Sequence, residues 1–264
     1  MTMPVYPQLS TGALAQFPIQ VRQQQRTLVN TAADGTVVKL GDPGAATVEW
    51  QLKYANLSDA ELALLLAFFA AAEGTLNNFT FVDPTANLLA WSNDLPNAVW
   101  NAAPFLSLTG AVSDPAGGAN AWRVTNSGTA VQDLTQTLTA PGGYVYCLSA
   151  YAQSSGPCTF TLLLGSNRYL QNIGPVWQRF SCNGTGDSNA SSMTFGIELG
   201  PGAAVNVYGL QVEAQDSPSL YKPSTTGGCY ENARLRDDTL TFTSTDVNHH
   251  SATVNIFYAS NLRS

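Results

Sequence analysis

Residues 129–164 read TAVQDLTQTLTAPGGYVYCLSAYAQSSGPCTFTLLL. Thr129 to Leu138 alternates apolar and polar through Val131, Leu134 and the run Thr135-Gln136-Thr137-Leu138. A turn signal, Pro141-Gly142-Gly143, follows, then two further runs, Tyr144 to Ala152 and Cys158 to Leu164. No window has a helical period. A period of two broken by Gly and Pro predicts half-buried strands joined by tight turns. The pattern continues outward in Val176 to Cys182, Ser192 to Leu199 and Ala204 to Val212, with Gly200-Pro201-Gly202 as a further break. Several short strands at this spacing predict a β-sandwich.

The sequence on either side has a different character. Asn56-Leu57-Ser58-Asp59-Ala60-Glu61 predicts a helix start. Ser58 is the N-cap, and Glu61 three residues later completes a capping box in which each side chain satisfies a free backbone donor. Asp59 and Glu61 also suit the positive end of the helix dipole. Leu62, Leu65, Leu66 and Phe69 make the expected apolar face, and Gly74 the left-handed cap. Thr47 to Tyr54 alternates with Val48, Trp50, Leu52 and Tyr54 on one side. Phe79-Thr80-Phe81-Val82-Asp83-Pro84 reads as a strand closed by a turn. Near the C-terminus, Asp238 to Thr243 and Ala252 to Tyr258 alternate again, with Thr245 to His249 as the turn between them.

The strand–helix–strand unit before residue 88 has an unpaired sheet edge. The C-terminal strands can supply the partner. The expected fold is therefore mainly β: a split N- plus C-terminal β domain with one α-helix, residues 1–87 and 226–264, interrupted by a jelly-roll β-sandwich at 88–225. Insertion at a loop is tolerated when the ends of the insert lie close together.

Composition limits the function. Of 264 residues, 44% are apolar and 11% charged, against roughly 25% charged in an average globular protein. The surface must be built from amides and hydroxyls or covered by neighbours. A net charge of −7 with scattered Lys and Arg excludes a phosphate-binding patch, so no nucleic-acid partner is expected. No run is long and apolar enough to insert in a membrane, and residues 1–10 carry no Sec-type signal. The expected place of synthesis is a cytoplasm.

Chemistry-bearing residues are sparse. Cys147, Cys158, Cys182 and Cys229 form no CxxC pair. Cys147 and Cys158 could meet across a hairpin, but buried free thiols are the favoured reading. His249 and His250 are adjacent, and neighbours on a strand point apart, so they cannot chelate one metal. No Asp-x-Asp-x-Asp run is present. No metal and no cofactor are expected. Asp94, Asp114, Asp133, Asp187, Glu198, Glu213 and Asp216 show no recognisable glycosidase pair, and there is no GxSxG run, so no enzyme is expected. Sugar binding is the alternative chemistry, since aromatic faces stack on pyranose rings. Trp100 and Trp177 are expected in the core, and Trp122 is left open between the core and a sugar-stacking face. Trp91 and Tyr169 are expected at the surface. Tyr169 follows the stretch Gly165-Ser166-Asn167-Arg168, which reads as a turn. Trp91, Asn167, Arg168 and Tyr169 are the candidate glycan-binding residues.

Three ordered stretches carry a resemblance. They are Asn87-Leu88-Leu89-Ala90-Trp91-Ser92-Asn93 through Trp100, Val176-Trp177-Gln178-Arg179-Phe180-Ser181, and Gly209-Leu210-Gln211-Val212-Glu213-Ala214 through Tyr221-Lys222-Pro223-Ser224-Thr225. Together they resemble the opening, central and closing runs of carbohydrate-binding-module-like jelly rolls in phage tail and decoration proteins. Leu95 stands where that family usually has an aromatic. The flanks, through Leu57-Ser58-Asp59-Ala60-Glu61, Phe68-Phe69, Glu73-Gly74, Phe79 to Pro84 and Arg236-Asp237-Asp238, are similar to the distal tail proteins of long-tailed phages and gene transfer agents. The resemblance implies a structural component of a virion tail tip or baseplate. It implies self-association into a ring, six copies favoured, between tail tube and tail hub proteins. It also implies a jelly roll available to a host surface glycan for host attachment. The competing expectation is a receptor- or glycan-binding decoration protein whose flanking domain is an anchor.

Overall fold

The computed structural model describes residues 3–260. The chain is mainly β, with one α-helix among the described residues and three antiparallel sheets. In chain order the first elements are β1 (Gln16–Thr31), β2 (Val37–Leu57), α1 (Asp59–Ala72) and β3 (Phe79–Val82). Next come β4 (Asn101–Ala102), β5 (Leu106–Val112), β6 (Ala121–Asn126), β7 (Gln132–Leu138) and β8 (Tyr146–Gln153). They are followed by β9 (Cys158–Leu164), β10 (Asn167–Ile173), β11 (Gln178–Gly184), β12 (Met193–Leu199) and β13 (Ala204–Glu213). The last are β14 (Cys229–Leu235), β15 (Phe242–Asp246) and β16 (His249–Ala259). The chain divides into two compact units. One takes the residues up to Leu9, Ala15–Phe81 and those from Tyr230 on; the other takes Ser10–Leu14 and Val82–Cys229.

The first unit is one sheet, ordered β1-β2-β16-β14-β3, with β15 also paired to β16, and the helix. The capping box is present: Ser58 Oγ accepts from the Glu61 N–H at 3.2 Å, and Glu61 Oε2 accepts from the Ser58 N–H at 2.9 Å. The buried stripe is Leu62, Leu65, Phe68 and Ala72. Leu66 is exposed and Phe69 half-buried, which corrects the expected face. At 100° per residue the four buried positions centre about 60° away from Leu62 on the side opposite Leu66. The left-handed cap begins at Glu73, one residue before Gly74, which also has positive φ. Phe68 of the helix packs edge to face on Phe79 at 4.9 Å and on Tyr6 at 5.0 Å between ring centroids. Trp50 meets Phe81 at 4.9 Å, and the Tyr6 and Tyr54 hydroxyls share a hydrogen bond of 2.6 Å. The C-terminal turn is shorter than expected. Val247 and Asn248 alone form it, Asn248 with φ 58°, because Thr245 and Asp246 continue β15.

The second unit is a jelly-roll sandwich of two five-stranded sheets, ordered β10-β9-β12-β7-β4 and β11-β8-β13-β6-β5. Its core is made by alternate residues. Phe160, Leu162 and Leu164 of β9 and Phe195, Ile197 and Leu199 of β12 are no more than 1% exposed. Tyr146 of β8 meets Phe195 at 5.3 Å and Phe160 meets Phe180 at 5.6 Å. Trp100 is buried, but Trp177 is half-buried, a correction to its expected core placement; Trp122 is half-buried too. In β11 the inward positions run through Phe180 and Cys182, and Trp177 precedes the strand on the outward parity. All four cysteines are free thiols; burial pushes Cys147 and Cys182 up to about 12.

The opening and closing stretches of the resemblance hold one another. Asn87, 1% exposed, donates to the Leu210 and Lys222 carbonyls and accepts from the Leu89 and Val212 N–H groups. Ser92 and Ser224 exchange hydrogen bonds at 2.9 Å in both directions. Tyr221 donates to Asn93 and shares a hydrogen bond with Ser92 Oγ at 2.9 Å. Glu213, nearly buried, accepts from Ser219 and from Lys222 at 3.2 Å.

Candidate functional site

The outward face of the sheet β10-β9-β12-β7-β4 is where polar chemistry gathers. Register places Leu170, Thr161, Glu198 and Asp133 in one cross-strand row, and Arg168, Leu163, Gly196, Thr135 and Asn101 in the next. Thr161, Thr135 and Glu198 are each only 8–9% exposed although they point away from the core rows. Gly196 belongs to this face by necessity. A Cβ there would collide with the Leu134 carbonyl oxygen, so β7 and β12 approach closely at this point. Past the Leu170 row lies a hollow of about 580 Å³ lined by Thr159, Asn172, Cys158, Ile173 and the turn Gly200-Pro201-Gly202.

The electrostatics centre on Glu198. Arg168 Nε donates to its Oε2 at 3.0 Å. Asp133 sits directly opposite on β7. Burial, then the charge and hydrogen bonding of Glu198, hold the Asp133 carboxyl above the usual range, with Arg168 pulling the other way. Asp133 Oδ1 is buried and has no protein hydrogen-bond partner. The face thus offers an acceptor-rich pair beside one guanidinium, framed by threonines and by the apolar Leu163 and Leu170. Such a lining can take vicinal hydroxyls on the carboxylates and the C–H face of a sugar ring on the exposed Leu170.

The four candidate glycan residues do not share one place. Arg168 lies on the outward face just described. Asn167 and Tyr169 have the other parity and turn to β11 and its end: Tyr169 Oη donates to the Asn183 carbonyl at 3.0 Å and Asn167 Nδ2 to that of Thr185 at 3.0 Å. Asn167 and Arg168 are strand residues, and the turn is Gly165-Ser166 alone, because Asn167 already pairs with Leu164. Trp91, 39% exposed with φ 48°, stands apart. Its neighbour Ala90 is gripped at both backbone groups by Gln136 of β7, at 2.8 and 3.0 Å. Gln136 is three strand spacings from Asn167 along one row, about 14 Å. Nothing local in the sequence joins Asp133 and Glu198, which lie far apart along the chain. Strand pairing alone brings them together.

Asp114 and His250 have structural tasks. Asp114 accepts from the N–H groups of Ala116, Gly118 and Asn120 and holds its own turn, which keeps its carboxyl below the usual range. In the first unit His249 is exposed and His250 buried. His250 Nε2 lies 2.6 Å from Asp59 Oδ1 and Nδ1 2.7 Å from Ser244 Oγ, which ties the helix start to the β15–β16 hairpin. No group of three or more metal-ligating side chains occurs among the described residues. No helix among them is long and apolar enough to cross a membrane.

No protein-family model matches the chain, and no curated protein does. The solved structures similar to it include carbohydrate-binding modules and a phage tailspike domain. The C-terminal family 22 carbohydrate-binding module of Clostridium thermocellum Xyn10B is 15% identical, with 54% of this chain and 100% of that one covered and a TM-score of 0.42. The CBM22-1 xylan-binding domain of Paenibacillus barcinonensis Xyn10C is 11% identical, with 53% and 95% covered and a TM-score of 0.37. The enzymatically active domain of bacteriophage CBA120 tailspike protein 4 is 12% identical at a TM-score of 0.39, with 50% of this chain and 22% of that chain covered. Likenesses at these TM-scores do not assign a function.

Proposed function

We propose that the chain is a structural component of a phage tail tip whose jelly-roll unit binds a host surface glycan. The observation that carries the glycan half is the outward face bearing Asp133, Glu198 and Arg168 beside Leu163, Leu170 and the adjoining hollow. A carboxylate pair in the middle of a sheet face, with one buried oxygen that no protein group donates to, favours a ligand that supplies donors. Sugar hydroxyls supply them. The pair binds on this reading and catalyses nothing.

The structural half is a distal tail protein that closes into a ring through its first unit, between tail tube and tail hub, on the virion tail. It is supported by the flanking stretches that resemble that family and by the open strands of the first sheet, which a ring removes. A glycan array probed with the full-length protein tests the binding half, followed by titration of any hit against Glu198→Gln and Leu170→Asn. At least a tenfold loss in both variants is the expected outcome. Binding that both variants leave intact moves the site elsewhere, and an array with no hit removes the glycan function.

A further inference from the structure

In the first unit every residue from Gln20 to Gly41 is exposed. The third strand of the sheet, β16, ends its pairing with β2 at Ala259 opposite Thr47. Beyond it β1 and β2 continue alone, from Arg26 opposite Asp42 to Thr31 opposite Val37. That is a two-stranded ribbon about 20 Å long, closed by the turn Ala32 to Thr36, in which the Ala32 N–H donates to the Thr36 carbonyl at 2.8 Å. Each face of the ribbon carries exposed apolar side chains among polar ones. Leu28 pairs with Leu40 and Asn30 with Val38 on one side, Val29 with Lys39 and Thr31 with Val37 on the other. Leu28, Val29, Val37, Val38 and Leu40 are 38–56% exposed. An isolated hairpin of this size is marginal in water and needs a further layer or strand.

Charge indicates the occupant. Gln20–Ala46 carries Arg22, Arg26 and Lys39 against Asp34 and Asp42, a net +1, on a chain of net charge −7, so the remainder carries −8. The open edge strand β1 has two arginines and no acid over its 16 residues. Of the other open strands, β3 is four residues long, whereas β15 is exposed throughout, ends in Asp246 and follows Asp237 and Asp238. The open strands β1 and β15 are therefore complementary in charge, and both belong to every copy.

We propose that the ribbon Arg22–Asp42 is an assembly arm that docks on the first unit of a second copy of this chain, the β1 edge of one meeting the β15 edge of the next. Such a contact is head-to-tail, and it closes when the rotation between copies divides a full turn. The proposal rests on the ring reading above and names the surface that makes the ring.

The test uses the full chain in three forms, measured by mass photometry and by light scattering at high concentration. In the first variant Gln24 is joined to Thr47 by Asn-Gly. These two residues are cross-strand partners, so a two-residue turn fits between them. The second is Arg22→Glu with Arg26→Glu. The third adds Asp237→Arg and Asp246→Arg to the second. Association of the wild type, a monomer for each of the first two and recovery in the third is the expected set. The charge variants alter exposed side chains only, so a first variant that fails to fold leaves the question with them. Wild-type association that survives both arm variants overturns the arm while the ring stands. Wild type that stays monomeric at every concentration overturns the ring reading and the arm with it.

Discussion

The jelly-roll unit and the ribbon of the first unit are made from the same low-charge, amide- and hydroxyl-rich sequence, yet one is closed and the other open. In the jelly roll no strand exceeds ten residues, the inner strands pair on both sides, and the inward rows of β9 and β12 are almost fully buried. In the first unit β1 and β2 run to 16 and 21 residues, and the outer part of both lies in water. Apolar residues alternate in both regions. The difference teaches that burial here follows from having a facing sheet. Val38 and Leu40 have strand chemistry as good as that of Leu162 and Leu164 yet stay about half exposed, because no layer faces them.

The contrast can be broken most directly by truncating one side chain in each region. Phe195→Ala, in a position 0% exposed, is expected to cost about 3–5 kcal/mol. Leu40→Ala, 51% exposed, is expected to stay within about 0.5 kcal/mol in the unassembled chain. Urea unfolding at a concentration where the protein is monomeric measures both. Similar costs at the two sites would mean that the ribbon is covered within a single copy.

The helix sharpens the comparison inside the first unit. Phe68→Ala should cost about 3–5 kcal/mol, because its ring packs between Tyr6 and Phe79. Phe69→Ala, half-buried at the edge of the stripe, should cost clearly less. A reversed order in thermal melts would place the stripe where Leu66 and Phe69 lie.

Local chemistry is readable in the sequence and long-range geometry is not. The Ser58–Glu61 capping box involves atoms three residues apart and can be found by spacing. Strand β9 begins at Cys158 and ends at Leu164, the limits its alternation predicts, because Pro157 and Gly165 bound it. The mainly β class, the helix and the sandwich are legible for the same reason. The ribbon is not, although Asp34-Gly35 is a hairpin signal. Its strands are polar enough to read as loop, and Pro43-Gly44 interrupts the second of them. The helix face is displaced from its expected position because Leu66 and Phe68 are equally apolar, and only the packed sheet distinguishes them. Size puts Trp177 in the core, whereas strand parity decides its place. The site depends most on what sequence lacks. Arg168 is among the candidates the sequence offers, but Glu198 and Asp133 become a pair only through the registration of β7 with β12.

A smaller effect belongs to the helix start. Ser58→Ala removes the acceptor of the Glu61 N–H and should cost about 1 kcal/mol, read as a lowered denaturation midpoint with an unchanged slope. Asp59 adds a pH dependence. The Asn248 backbone N–H and then His250 hold its carboxyl below the usual range. A depressed folded-state value gives stability that is present above the ordinary carboxylate value near 4 and is lost as pH falls through the folded one. Asp59→Asn should therefore flatten the acid side of the stability profile. An unchanged acid limb would show that Asp59 makes these contacts without stabilising the fold.

The smallest expected effect tests the jelly-roll face, where the sign reverses. Asp133 is held above the usual range by burial and by Glu198, so the folded chain binds its proton more tightly than the unfolded chain does. Stability then falls as pH rises from about 4 through the raised folded value. Asp133→Asn keeps the shape, cannot ionise and removes the repulsion with Glu198. Its gain over wild type should be nil below pH 4, grow as pH rises and level off near neutrality, at no more than a few degrees in melting temperature. Arg168 bears on the size of the gain, since its guanidinium attracts both carboxylates. Arg168→Gln should enlarge the benefit of Asp133→Asn, so the two changes should not be additive. A gain independent of pH would assign the effect to packing. A loss at neutral pH would show that the ionised Asp133 already has a partner in the folded chain, and the case for a sugar hydroxyl at that oxygen would fail.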